Sequence, residues 1–174
     1  LNSRAIDYDD CKYCSAFEED KPFRSMGSIF DADMAKIGGV WTANPPFIED
    51  IMEKFAVKLL TELEKATNLT VYVLLPGWED AEGYRKLKAS PYLVREKILE
   101  PGTYYFETPN REKLVMHGAN FYLLMRKAPQ GESAEKAASY VVGLEHYGTQ
   151  PLPKTQPSFR PSEHLIATTG LLDM

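Results

Sequence analysis

The chain has 174 residues, 44% of them hydrophobic and 26% charged, and its formal net charge is −5. This composition predicts one globular domain with an apolar core. No apolar run is long enough to cross a membrane, and Leu1 to Arg4 is neither a signal peptide nor a basic targeting helix. We therefore expect an intracellular protein, nuclear or cytoplasmic, that makes no contact with membranes. A net negative charge does not favour binding to nucleic acid, but it does not exclude a positively charged patch on one part of the surface.

The two cysteines, Cys11 and Cys14, form a CxxC pair, a spacing found in redox pairs and in halves of zinc sites. No second pair follows, and the three histidines are scattered along the chain. If Tyr13 to Phe17 is a strand, side chains three residues apart point to opposite faces. We therefore predict two thiols in a reducing compartment and no metal site.

The first half of the chain predicts short strands around one clear helix. Tyr13 to Phe17 reads as a strand, Ile29 to Asp31 as a brief strand or turn, and Gly38 to Ala43 as a strand. The helix after Phe47 has an acidic first turn, which suits the helix dipole. Its apolar residues recur every three or four positions. They are Ile48, Ile51, Met52, Phe55, Leu59, Leu60 and Leu63.

The second half predicts one deeply buried strand followed by shorter elements. Val71 to Leu75 is a continuous apolar run, typical of a strand covered on both faces in a parallel sheet. A helix from about Ala81 to Ala89 and a strand from Val94 to Leu99 follow. Tyr104 to Glu107 and Ala119 to Met125 predict two later strands, antiparallel to each other, with a polar connection between them.

From Gly143 onward, prolines interrupt any regular element, and the last residues are apolar again. We therefore divide the chain into a domain over residues 1–142 and a proline-rich, extended arm with an apolar end over residues 143–174. An arm that ends in apolar residues is expected to dock on its own domain or on a protein partner.

The most informative stretch is Asn44-Pro45-Pro46-Phe47, here called the NPPF loop. The exocyclic amine of adenine is a poor nucleophile, so a site that methylates it must accept hydrogen bonds from its protons. The side-chain oxygen of Asn44 and the carbonyl of Pro45 can do so. The two prolines hold the backbone rigid, and Phe47 offers a flat face for a base.

The setting of the NPPF loop supports this interpretation. A strand that ends in a tight loop before a helix is where open α/β sheets place their ligands. Taken alone, the same four residues could also be a turn followed by a core phenylalanine.

The motifs together resemble the phosphorylated CTD-interacting factor family of cap-specific adenosine N6-methyltransferases, over about Leu1 to Lys127. Several motifs recur in the same order as in that family. They are Tyr13-Cys14-Ser15-Ala16-Phe17, the spaced Phe23, Ser25, Gly27 and Asp31, the NPPF loop, Pro76-Gly77-Trp78, and His117 before the last apolar strand.

The resemblance implies a Rossmann-like class I methyltransferase fold of the α/β class, with a mostly parallel sheet and a C-terminal antiparallel hairpin. Because this chain begins just past the point that corresponds to the family's first strand, we expect that strand to be lacking. The implied reaction is transfer of a methyl group from S-adenosylmethionine to the amine of the adenosine beside the cap of an RNA.

The resemblance also implies roles for individual residues near the cofactor. Asn2, Phe17 and Asp20 are expected to lie beside S-adenosylmethionine, with Asp20 as acceptor for the ribose hydroxyls. Ser25 and Gly27 are expected to shape the loop around it. From the residues alone, Asp20 is as readily a solvated acid.

On the substrate side, the resemblance implies that Asn44 and Pro45 orient the amine, Pro46 keeps the loop rigid, and Phe47 stacks on the adenine. Trp78 and His117 are expected to contact the substrate. From the residues alone, both are as readily structural.

Two other functions stay open at this stage. The NPPF loop fits a DNA adenine methyltransferase equally well, because the base is the same in both polymers. A non-catalytic, methyltransferase-like subunit of a larger RNA or ribonucleoprotein assembly would also fit, with the arm holding its partner. The local basic residues, which could form a track for phosphates or an ordinary solvated face, are Lys86, Lys88, Arg95 and Lys97.

Overall fold

The computed structural model describes residues 13–107 and 112–146, with backbone only at Phe106 and Glu107. Within these ranges there are six strands: β1 (Gly39–Ala43), β2 (Leu69–Pro76), β3 (Leu93–Leu99), β4 (Tyr105–Glu107), β5 (Lys113–Val115) and β6 (Asn120–Lys127). The α-helices of the described residues are α1 (Met34–Ile37), α2 (Glu49–Lys65), α3 (Glu82–Lys88) and α4 (Ala134–His146). A short 3₁₀ helix spans Glu18–Phe23.

Four strands form one sheet in the order β1-β2-β6-β3. β1 is parallel to β2, whereas β6 lies between β2 and β3 and is antiparallel to both. The α/β class is confirmed, but the expected mostly parallel sheet is a mixed one among the described strands. Three strands run in one direction, yet two of the three neighbouring pairs are antiparallel, because β6 inserts between two strands that would otherwise be parallel neighbours.

The predicted C-terminal hairpin is wrong in its partners. β4 pairs with β5 in a separate two-stranded ribbon, Tyr105 opposite Val115, while β6 joins the main sheet. β5 lies in the connection that the sequence marks as polar, where a three-residue strand carries too few apolar side chains to be noticed. β6, in contrast, is long and almost entirely buried.

The sheet has an apolar layer on each face. On one face α2 and α3 pack against alternate residues of β2 and β6, among them Val71, Val73 and Leu123. On the other face α4 packs through Leu144 against a second apolar cluster, which includes Leu74 and Leu124. This is the alternation that a strand produces. β2 is therefore covered on both faces, as its apolar run predicted.

A buried ion pair sits where the chain leaves β6 for α4. The Arg126 guanidinium bonds both carboxylate oxygens of Glu132, at 2.7 and 2.9 Å, and Thr70 Oγ1 at 2.9 Å. It also lies 4.1 Å from the centre of the Tyr140 ring. The Arg126 hydrogen bond lowers the pKa of Glu132. α4 was not anticipated, and it crosses the predicted boundary at residue 143; residues 147–174 of the arm lie outside the described residues.

The predicted strand at Tyr13 to Phe17 is not formed. Only Tyr13 makes an isolated parallel bridge, to Ser25, after which the chain turns into the 3₁₀ helix. The reason is local: the Ser15 hydroxyl donates to the Asp20 carboxylate at 2.5 Å, which folds the segment back on itself. Ile29 to Asp31 is a turn, one of the two forms expected for it.

The crossing of α2 and α3 depends on a glycine. A Cβ added to Gly83 would lie 2.8 Å from the backbone carbonyl carbon and oxygen of Met52 and 2.9 Å from the Glu53 nitrogen. Backbone atoms in the middle of a helix cannot move aside without shifting the helix. Gly83 therefore allows the two helices to approach each other closely.

Gly83→Ala should destabilise the protein by about 1–3 kcal/mol, because the clash outweighs the higher helix propensity of alanine. Denaturant unfolding measures this loss. Gly118→Ala is the matched control, since an added Cβ there meets no atom within 4 Å. Equal stability of the two variants would contradict the close crossing.

Glu62 is a buried acid that joins α2 to the start of α1. It is 3% exposed, and its carboxylate accepts hydrogen bonds from the Ala35 N–H at 2.8 Å and from Lys58 Nζ at 3.1 Å. Burial by itself raises the Glu62 pKa, but these hydrogen bonds and the charges of Lys58 and Lys65 outweigh burial. The net pKa is below the ordinary value of 4.5.

A lowered pKa means that the ionised carboxylate stabilises the fold above the unfolded-state pKa and that this stabilisation is lost as the pH falls through the folded-state value. Glu62→Gln should therefore be less stable than the wild type by about 1–3 kcal/mol near neutral pH. The difference should shrink below pH 4.5. Unfolding free energies across the acid range test this, with exposed Glu64→Gln as the control; a pH-independent difference would be the contrary result.

Candidate active site

The carboxyl ends of β1, β2 and β3 and the first residue of β6 lie at one edge of the sheet, here called the site edge. The NPPF loop leaves β1 at this edge, and the segment Pro76-Gly77-Trp78 leaves β2 there. The β4–β5 ribbon connects the end of β3 to the start of β6, so it also leaves the sheet at this edge. The topology thus gathers the substrate candidates from three parts of the chain.

The NPPF loop is a tight link between β1 and α2. The Ile48 N–H donates to the Pro46 carbonyl at 2.8 Å, and α2 then begins at Glu49. Asn44 is exposed, and its side chain makes no hydrogen bond to a described residue. No described backbone N–H outside the strand ladder bonds to the Pro45 carbonyl. Both predicted acceptors for an amine are therefore uncommitted in the described part of the chain.

Two aromatic side chains meet at the site edge. The rings of Phe47 and Trp78 contact edge to face, with centroids 6.5 Å apart and planes at 67°. Phe47 is half-buried, whereas Trp78 is 44% exposed. Phe47 is thus not absorbed into the apolar core, the alternative that the sequence left open, and the indole has surface available to a ligand.

The position of Trp78 is fixed by close backbone packing. The Gly77 N–H donates to the Ala119 carbonyl at 2.8 Å, and the Trp78 N–H donates to the Pro76 carbonyl at 2.8 Å. A Cβ on Gly77 would lie 2.8 Å from the Ala119 carbonyl oxygen. Glycine is therefore required for this segment to lie against the residue that precedes β6.

His117 is exposed and lies at the root of the β4–β5 ribbon, on the site edge. The root is fixed by the buried Tyr104, whose hydroxyl donates to the Gly118 carbonyl at 2.8 Å. Met116 bonds across the root to Tyr104 and Gly102. Tyr104 had no predicted role, and nothing in its sequence context distinguishes it from Tyr105.

The cofactor candidates form a separate loop with its own hydrogen bonds. Asp20 is 4% exposed; its carboxylate is bonded by the Ser15 hydroxyl and its carbonyl by the Ser25 N–H. The Gly27 N–H donates to Ser25 Oγ at 3.1 Å. Asp20 is therefore not the solvated acid that the sequence allowed. Phe17 is 65% exposed, and Asn2 lies outside the described residues.

The surface beside the NPPF loop is acidic. Glu49 and Asp50 follow it directly, Glu79 and Asp80 follow Trp78, and all four are exposed. The four predicted basic residues do not form a track for phosphates. Their partners divide them between the two faces of the sheet: Lys86 with Glu53 and Glu82, Lys88 with Glu96, and Arg95 and Lys97 with the side chain and carbonyl of Glu145.

Cys14 is a half-buried free thiol, and burial raises its pKa. Cys11 lies outside the described residues. Within the described ranges, no group of three or more His, Cys, Asp or Glu side chains is arranged to hold a metal ion. No described helix is long and apolar enough to span a membrane.

A family model described as the phosphorylated CTD interacting factor 1 WW domain matches residues 6–108, which is more than half of the chain. The chain belongs to this family. Although the description names a WW domain, the matched range includes β1, α2, β2, α3 and β3, which contribute to an α/β layer and not to a small all-β module. It contains the NPPF loop and Trp78.

Other comparisons are more distant. Among solved structures, the chain is similar to the Dnmt2 methyltransferase of S. pombe at 13% identity and a TM-score of 0.38. The similarity covers 73% of this chain and 45% of that one, so the chain spans less than half of the structure it matches. No curated protein sequence matched the chain.

The contact between Phe47 and Trp78 can be measured. An edge-to-face aromatic pair contributes about 0.5–1.5 kcal/mol beyond its buried area, and partial exposure favours the lower end. Unfolding free energies of Phe47→Leu, Trp78→Leu and the double variant form a cycle that should give a coupling of that size. Strictly additive losses would mean that the rings do not interact in solution.

Proposed function

We propose that the chain provides the acceptor side of an S-adenosylmethionine-dependent adenine N6-methyltransferase that acts on RNA, on the adenosine next to the cap. The observation that carries this proposal is the NPPF loop itself. It lies at the carboxyl end of a parallel strand, with an exposed Asn44 amide and a half-buried Phe47 ring.

The acceptor chemistry follows from the free groups of the loop. The Asn44 side-chain oxygen and the Pro45 carbonyl would each accept one proton of the adenine amine. These two bonds would hold the nitrogen with its lone pair directed towards the methyl donor. No general base is needed, because methylation makes the nitrogen acidic and its proton can then leave to water.

The aromatic side chains supply a surface for the base. Phe47 would stack on the adenine, because a half-buried ring on a rigid loop loses little freedom when a base binds. Pro45 and Pro46 keep that loop rigid. Trp78, which meets Phe47 edge to face, extends the aromatic surface away from the NPPF loop.

S-adenosylmethionine would supply the methyl group when bound. The described residues fit it in part: the exposed Phe17 ring and the turn at Ser25 and Gly27 offer a flat surface and an open backbone for an adenosine moiety. Asp20 fits less well as an acceptor for ribose, because its carboxylate is buried and bonded to Ser15. Asp20 would then position this loop and not hold the ribose directly.

The surroundings of Trp78 favour a capped RNA over duplex DNA. The guanine of a cap is methylated and carries a positive charge, and cations bind well on the face of a tryptophan. Glu79 and Asp80 follow Trp78 and would add to this attraction. The same carboxylates would repel the phosphates of RNA and DNA alike, so the preference for capped RNA rests on the positive charge of its methylated guanine. His117 would border the bound substrate on the ribbon side.

A second candidate function is a non-catalytic, methyltransferase-like subunit of a larger assembly. The commitment of Asp20 to Ser15 favours it, because this leaves the described residues short of a carboxylate for the cofactor. Cofactor binding measured by calorimetry separates the two functions. Binding of S-adenosylmethionine by the full chain supports the enzyme, whereas no binding supports the subunit.

Asn44→Ala should lower methyl transfer to a capped, adenosine-initiated RNA by about 10²–10³-fold, the loss typical of removing one hydrogen-bonding group aimed at the reacting atoms. Because Asn44 is exposed, the unfolding free energy should change by less than about 0.5 kcal/mol. Incorporation of labelled methyl groups measures the first quantity and denaturant unfolding the second.

Thr42→Ala is the matched control, since Thr42 is exposed on β1 two residues before the NPPF loop. Its methyl transfer should equal that of the wild type. Undiminished transfer by Asn44→Ala would refute the proposed acceptor role. Preference of the wild type for uncapped DNA would identify it as a DNA adenine methyltransferase.

A further inference from the structure

One buried amide at the site edge has an unused hydrogen-bond donor. Asn120 is 3% exposed, and its Nδ2 atom has no partner among the described residues. The other buried polar side chains of the described part are bonded: Asp20 to Ser15, Glu62 to Lys58, and both Thr70 and Glu132 to Arg126. A buried donor without a partner is destabilising, so proteins rarely keep one that serves no purpose.

The register places this amide at the site edge. Asn120 is the first residue of β6, directly opposite Pro76 of β2 and Leu99 of β3. Its neighbour Ala119 accepts the Gly77 N–H that fixes the Trp78 segment. The backbone beside Asn120 is therefore linked through Ala119 and Gly77 to the segment that carries Trp78, whose ring contacts Phe47.

The neighbouring backbone does not satisfy the amide. The Gly118 carbonyl is taken by the Tyr104 hydroxyl, and the Ala119 carbonyl by the Gly77 N–H. The strand register puts Asn120 on the same face of the sheet as its partner Leu99, whose cluster also contains Tyr104. Leu99 is apolar, and the Tyr104 hydroxyl is already bonded to Gly118. The Nδ2 atom has less than 1 Å² of accessible surface, so a ligand must reach it past neighbouring residues. Gly118, two residues before Asn120, is exposed, and an added Cβ on it would meet no atom within 4 Å.

We propose that Asn120 is a specificity-determining residue whose Nδ2 donates a hydrogen bond to a ring nitrogen of the target adenine. This inference rests on the proposed function. Asn44 and Pro45 present acceptors to the amine, and adenine carries a ring acceptor on either side of it, at N1 and N7. A site that also offers a donor would match this alternation of donor and acceptor groups.

A neutral acceptor suits this position better than a phosphate. The surroundings of Asn120 are apolar, so burying the charge of a phosphate there would be unfavourable. Among the described residues, no cation is bonded to the amide nitrogen to offset such a charge. A ring nitrogen is neutral and planar, as an amide partner requires. Guanine presents a carbonyl at position 6, so it would face mismatched acceptors at Asn44 and Pro45. If Asn120 bonds N1, the N–H of guanine at position 1 would be a second mismatch.

The test uses the full chain and capped RNAs that begin with adenosine, 1-deazaadenosine or 7-deazaadenosine. Each analogue lacks one ring acceptor and keeps the amine. Asn120→Leu and Asn120→Val both remove the donor, and Asn68→Leu makes the same change just before β2 at the opposite edge of the sheet.

We expect kcat/KM on adenosine to fall by roughly tenfold or more in both Asn120 variants and not in Asn68→Leu, as for one lost hydrogen bond. One of the two analogues should lower the wild-type value by a similar factor and cause no further loss in Asn120→Leu. The melting temperature of Asn120→Leu should stay level or rise, because an unsatisfied donor has been removed.

Equal losses on adenosine and both analogues in every Asn120 variant, with a lower melting temperature, would overturn the inference and make Asn120 structural. Unchanged kcat/KM in both variants would overturn it as well. If the wild type transfers no methyl group to any adenosine, the proposed function fails and this inference falls with it. An active wild type with unaffected variants removes only this inference.

Discussion

The structure depends on one ladder, the eight-residue antiparallel pairing of β2 with β6 from Leu69 opposite Lys127 to Pro76 opposite Asn120. Both strands are almost fully buried, so their side chains fill the apolar layer on each face of the sheet. α2 and α3 cover one layer and α4 covers the other. Because the ladder ends with Pro76 opposite Asn120, it also determines where the two strands stop and the loops of the site edge begin.

The site is rigid for reasons that lie mostly in the backbone. Gly77 brings the Trp78 segment against Ala119, and the prolines restrict the NPPF loop. Neither device requires a specific side-chain contact with a ligand. The chemistry of the site then resides in a few exposed groups on a fixed frame, which is how catalytic residues are generally positioned.

The sequence predicted the elements whose side-chain pattern is long and regular. The stripe of α2, the apolar run of β2 and the loop between β1 and α2 were located correctly, because burial alone imposes their periodicity. The order of strands was harder, since the insertion of β6 between β2 and β3 involves residues far apart in the chain. β5 and α4 were missed because one is very short and the other has a weak apolar stripe.

The candidate site divides in the same way. The NPPF loop was singled out because its residue types suit the binding of an amine, and Trp78 because of the family resemblance; their roles in binding stay predictions. The burial of Asp20 by Ser15 and the unpaired amide of Asn120 were not predicted, because both depend on what surrounds a residue in three dimensions. The predicted basic cluster was close in sequence, but α3 and β3 direct its members to different acids.

The two outermost strands of the described sheet, β3 and β1, differ in how readily they would pair with a strand of another molecule. β3 carries Arg95, Glu96 and Lys97 and a bulge, features that discourage pairing with a further strand. β1 is Gly39-Val40-Trp41-Thr42-Ala43, without charge or proline, and Val40 is 59% exposed. At high concentration, copies of the protein are thus expected to associate through β1. Because Ala43 leads directly to Asn44, any strand that extended the sheet there would also become a wall of the site.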